Sequence, residues 1–121
     1  MREVRQRDWA AFCQRLNQFE NGANVTVDVL DQSGTTRESS RLVFEQISFD
    51  ARDACSDRLT IQGRAEEAKQ LEIIEPIHVR LNETEGGAAF NRVLIEGEEG
   101  TTVLTFHPVV RRAWMEGLDL Q

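Results

Sequence analysis

Long apolar runs are missing from this sequence of 121 residues. No stretch approaches the roughly 18 apolar residues needed to cross a bilayer, and the start, MREVRQRDW, lacks the apolar core of a secretion signal. A cytoplasmic protein without a membrane partner is therefore expected. Positive charge is short as well: the net charge of −7 repels a polyanion, whereas nucleic-acid binding demands Lys and Arg clustered on one face. No nucleic-acid partner is expected. Lysine is almost absent, since Lys69 is the only one among 14 basic residues, and a coding bias toward Arg explains this more simply than guanidinium recognition. The two cysteines, Cys13 and Cys55, lie far apart and have neither zinc nor redox spacing, so both read as free thiols. There is no glycine-rich phosphate loop, no HExxH and no GxSxG, and two histidines without a fixed carboxylate do not make a metal site. Neither a metal nor a cofactor is expected.

What is present is the composition of an ordinary globular chain, 40% hydrophobic and 29% charged, at a length that fits one domain. Asp8 stands where a helix cap belongs, ahead of Trp9, Phe12, Cys13, Leu16 and Phe19 at three- and four-residue steps, and Asn21-Gly22 ends the pattern. Cys13 then sits in an apolar stripe, as a small buried hydrophobe. From Val25 the period is two: Val25, Val27 and Val29 alternate with polar residues, and Asp31 to Gly34 make a turn. A second strand runs from about Arg41 to Phe49. Its apolar set shifts from Leu42 and Phe44 to Ile47 and Phe49, which implies a bulge near Glu45-Gln46 or burial on both faces. Leu59 and Ile61 mark a short strand, Gly63 to Lys69 a polar loop with a brief helical turn, and Leu71–Ile74 and Ile77–Leu81 flank Pro76 as one kinked edge strand or two strands.

The stretch FNRVLIEGEEGTTVLTF reads as a hairpin. If Glu96 pairs with Thr101, then Val93 and Ile95 share a face with Thr102, Leu104 and Phe106, and Glu98 and Glu99 only turn the chain, with Gly100 free to take positive φ. The same register sets Leu94 beside Val103 on the opposite face, where two adjacent apolar residues would not normally meet water. Three things could cover them: the tail from Pro108 to Leu120, in which Val110, Trp114 and Leu118 recur at helical steps with Met115 adjacent; a second subunit; or the sheet itself, curling toward a barrel.

Few residues invite chemistry. Asp50, Asp53 and Asp57 around Cys55 fail the spacing of a calcium loop and read as a solvated loop with Arg52 and Arg58. His78 and Arg80 point to the polar side of their strand, where they could bind a carboxylate or phosphate, or simply pair with acidic neighbours; Arg58 is a possible companion. His107, before Pro108, is less suggestive. Gly86-Gly87 reads as a flexible connection, and the sequons at Asn24 and Asn82 would need export.

The pieces RDWAAF, VTVDVL, FEQISFD, PIHVRL and IEGEEGTTVLTF, in this order and spacing, resemble a family of small uncharacterised bacterial proteins that share a domain of unknown function. The resemblance covers most of the chain up to about Phe106 and implies a stand-alone cytoplasmic protein with one helix followed by strands. It supplies no catalytic residues, and the tail RRAWMEGLDLQ lies outside it.

The expected fold is α+β: an N-terminal amphipathic helix packed on a curved antiparallel sheet of about six strands, with helix and sheet over residues 1–107 and the tail over 108–121 as a short helix. Two functional classes fit. The favoured one is a non-enzymatic interaction or regulatory module, with a protein partner or a second copy in a homodimer, that uses Leu94, Val103, Val110, Trp114, Met115 and Leu118 as its surface. The alternative is a binder of a small anionic ligand, or a modest enzyme, with a pocket lined by His78, Arg80 and Arg58.

Overall fold

A computed structural model describes residues 1–51, 57–118 and 120 of the chain. The loop expected around Asp53 and Cys55 falls largely on residues outside that set. The elements are β1 (Arg2–Val4), α1 (Trp9–Glu20), β2 (Asn24–Asp31), β3 (Thr36–Asp50), β4 (Arg58–Arg64), β5 (Ala68–Ile74), β6 (His78–Glu83), β7 (Ala89–Gly97) and β8 (Gly100–Arg111). All eight strands join one antiparallel sheet in the order β1-β6-β7-β8-β2-β3-β4-β5. That is more than the six or so expected. Arg2–Val4 is too short to show a period, and the segments flanking Pro76 are two strands, which lie near opposite ends of the sheet. Between them Glu75 takes a positive φ of 53°.

The inward positions follow the predicted alternation. Val25 and Val27 on β2, Leu42 and Phe44 on β3, Leu59 and Ile61 on β4, Val93 and Ile95 on β7, and Leu104 and Phe106 on β8 are all buried. Phe44 and Phe106 meet edge to face at 5.4 Å. The shift of phase in β3 is a bulge, with the register to β4 breaking between Phe44 and Gln46, so that Ile47 regains the inner face. Gly63 to Lys69 holds no helical turn: β4 and β5 pair across it as a hairpin, down to Arg64 opposite Ala68.

A short 3-10 turn at Gln6–Asp8 leads into α1, and Asp8 makes no side-chain capping bond. The helix buries Trp9, Phe12, Cys13, Leu16 and, unexpectedly, Glu20, while Phe19 remains partly exposed. How α1 docks follows from a gap in the ladder. β2 stops pairing with β3 at Asn24 opposite Val43, which leaves the edge of β3 beyond Phe44 without a strand. Helix side chains take its place. The Asn17 amide donates to the Ile47 carbonyl at 2.9 Å and accepts from the Ile47 N–H at 2.7 Å, and Asn21 donates to the Glu45 carbonyl at 2.7 Å. Backbone groups at a buried edge need such partners.

The tail departs from the expected helix. β8 continues through Pro108 because its register with β7 jumps between Phe90 and Arg92, letting Phe90 pair with Val110 and Ala89 with Arg111. Only Arg112–Met115 coil, as a 3-10 turn. The tail then returns over the helix side: Trp114 stacks on Phe19 with centroids 4.9 Å apart, Arg15 donates to the Trp114 carbonyl at 2.9 Å, and Leu120 bridges to Val4.

The sheet bends strongly but is not closed. β5 and β7 are separated by four strands in the sheet order, yet the Glu98 N–H donates to the Ile74 carbonyl at 3.2 Å. At this near-seam a Cβ on Gly97 would lie 2.7 Å from Cγ2 of Ile73. Gly100 has φ 147° and is more tightly held, since a Cβ there would stand 2.0 Å from the Leu30 carbonyl oxygen. The glycines of Gly97-Glu98-Glu99-Gly100 therefore shape the hairpin, and Glu98 and Glu99 are exposed between them.

Candidate functional site

The residues singled out for chemistry on β6 are already engaged. Register sets Glu3 of β1 opposite Arg80 and His78 opposite Glu96. His78 Nδ1 lies 3.1 Å from a Glu3 carboxylate oxygen, and Arg80 donates to Glu3 and to Glu96, each at 3.4 Å. The hydrogen bond from His78, with help from Arg80 and against a desolvation cost, holds the Glu3 carboxyl below its usual range. Two carboxylates thus balance the pair, which is the cross-strand role of surface charges. Arg58 does not join them. It donates to Glu72 on β5 at 3.3 Å and is separated from β6 by four intervening strands in the sheet order.

Leu94 and Val103 are directly opposite each other on the outer face, as the register predicts, and both are half-buried. The row containing them reads Glu3, Arg80, Leu94, Val103, Asp28, Ser39 across six strands. Leu30 is a diagonal neighbour of Val103, because it pairs with Thr101. The tail residues expected on the same surface lie on the other one. Val110 and Met115 are 1% and 2% exposed in the core, and Trp114 and Leu118 pack against it. Apolar spacing in the tail was legible, but which face of the sheet it would meet depends on the direction β8 takes after its bulge.

A third cluster went unnoticed in the sequence. Asn24, Thr26, Arg41, Val43, Arg64, Ala65 and His107 line an outer-face depression of about 590 Å³. It arises where Asn24 pairs with both His107 and Val43, and Val43 in turn with Arg64. Among the described residues the only ion-pair partner of these cations is Glu45, 3.9 Å from Arg64. The outward alternation of Asn24, Thr26, Arg41 and Val43 was visible in the sequence, but the registers that join four strands were not.

Burial pushes the Cys13 thiol up to about 12, so it is neither a ready nucleophile nor a metal ligand. Burial also raises the Glu20 carboxyl to about 7, and its Oε1 has no hydrogen-bond partner among the described residues. A smaller cavity of about 110 Å³ lies at the near-seam among Val29, Ile73, Gly97 and Thr102, below the size of ordinary ligand pockets. Among the described residues no three of His, Cys, Asp and Glu come together as a metal site requires, and no helix is long and apolar enough to cross a membrane.

No protein-family model matches the chain, and no curated protein matches it either. Among solved structures, the YojF protein of Bacillus subtilis is similar, with a TM-score of 0.48 and 8% identity over 92% of this chain and 94% of that one. A likeness at this level bears on neither site nor function.

Proposed function

We propose that the chain is a non-enzymatic interaction module, that it meets its partner through the outer face of its sheet, and that a second copy of itself is the partner this face fits. The observation that carries the reading is the row Arg80, Leu94, Val103, Asp28. It runs cation, apolar, apolar, anion, which is self-complementary about its centre. A two-fold axis parallel to the strands would lay Leu94 and Val103 of one copy on those of the other and bring each Arg80 over the opposite Asp28. The chain's own covering elements, α1 and the tail, are both committed to the inner face.

Light scattering over a concentration series should find a dimer for the natural sequence. Leu94→Glu should shift dissociation upward by about tenfold or more, as expected for the centre of a small interface. Arg80→Asp should weaken association too, and adding Asp28→Arg should restore it. A monomer at every concentration would end the proposal, as would a dimer indifferent to these changes in variants whose melting shows them folded.

A further inference from the structure

We infer that the depression around Arg41, Arg64 and His107 binds a small phosphomonoester, with the phosphate held between the two arginines and the organic part resting on Val43. The inference is independent of the self-association proposed above and concerns another part of the same face.

The chain carries a net charge of −7, and on the outer face Arg80 is balanced by Glu3 and Glu96 and Arg58 by Glu72, while Arg92, which has no ion-pair partner among the described residues, lies outside the depression. Arg41 has no ion-pair partner among the described residues, and Arg64 has only Glu45, at 3.9 Å. Asp28, two positions along from Thr26, is engaged with the Ser39 hydroxyl at 2.6 Å. Leaving two guanidinium groups open beside each other in an acidic protein creates a local field of the opposite sign, which draws anions to that place.

Geometry selects the anion. Val43 pairs with Arg64, and Arg41 is two residues before Val43 on the same face, so Arg41 and Arg64 are diagonal neighbours, about 7 Å apart at their bases. Both side chains are long enough to converge above Val43. A planar carboxylate is satisfied by one guanidinium fork, whereas a tetrahedral dianion takes donors from several directions. Those further donors are present: the Thr26 hydroxyl opposite Arg41, the Asn24 amide opposite Val43, and the His107 ring opposite Asn24. The floor explains the organic part. Val43 is 41% exposed, an apolar residue open at the centre of a polar ring, and the volume of about 590 Å³ is that of a small-molecule site.

Backbone amide NMR shifts should be followed while inorganic phosphate, phenyl phosphate and benzoate are titrated into the full chain. The expected result is saturable movement confined to the amides around Asn24, Thr26, Arg41, Val43 and Arg64, with phenyl phosphate binding several-fold more tightly than inorganic phosphate and both more tightly than benzoate. Arg41→Gln and Arg64→Gln should each weaken phenyl phosphate by about tenfold, and Val43→Thr should remove its advantage over inorganic phosphate. These positions are exposed, so the variants should keep the amide spectrum of the fold. Shifts scattered over the surface, binding that survives both arginine changes, or benzoate binding as well as phenyl phosphate would overturn the assignment.

Discussion

Glu20 places a carboxyl in the core, 2% exposed, where the helical stripe continues from Leu16. Its folded value of about 7 lies above the ordinary 4.5, so the folded chain holds this proton more tightly than the unfolded chain. Stability from this group is therefore complete below about pH 4.5 and is lost as pH rises toward about 7, a change on the order of 3 kcal/mol. Urea unfolding at a series of pH values should show that decline, and Glu20→Gln should flatten it. The hairpin offers a second test of single residues. Gly100→Ala would force a Cβ against the Leu30 carbonyl and should cost roughly 3 kcal/mol or more, whereas Glu98→Ala and Glu99→Ala should stay within about 0.5 kcal/mol by the same measurement. A large loss at either glutamate would mean the acids do more than bridge two glycines.

At the scale of elements, docking of α1 rests on amides as much as on its apolar stripe. Asn17→Ala would strip the Ile47 N–H and carbonyl of their partners and should destabilise the fold by about 2 kcal/mol, read from chemical denaturation, with Asn17→Asp recovering only the bond from the Ile47 N–H. Sequence patterns reached this level unevenly. The helix from Trp9, the alternation of Val25 to Val29, the bulge after Phe44 and the pairing of Leu94 with Val103 were all legible, because each is a local period or a short-range register. Glu20 broke the helical reading, since hydropathy assigned the buried place to Phe19, which instead stacks on Trp114. The ion pairs of His78 and Arg80 depended on β1, three residues that show no period, and the basic depression depended on registers between β8, β2, β3 and β4.

For the whole molecule, one sheet serves two surfaces with different tasks. Its inner face, closed by α1 and the returning tail, holds the core, and its outer face carries both the self-complementary row and the depression. Because the two outer features occupy different rows, Leu94→Glu should weaken dimerisation and leave the phenyl phosphate shifts intact, and Arg41→Gln should weaken phenyl phosphate and leave the dimer intact; one substitution weakening both in a folded protein would mean that they form a single site. The side-chain amides of α1 have a larger consequence. By occupying the β3 edge from Glu45 to Ile47, Asn17 and Asn21 deny that edge to any other chain. The helix is thus a guard against fibrillar stacking, and whatever loosens it should show first as aggregation rather than as loss of binding.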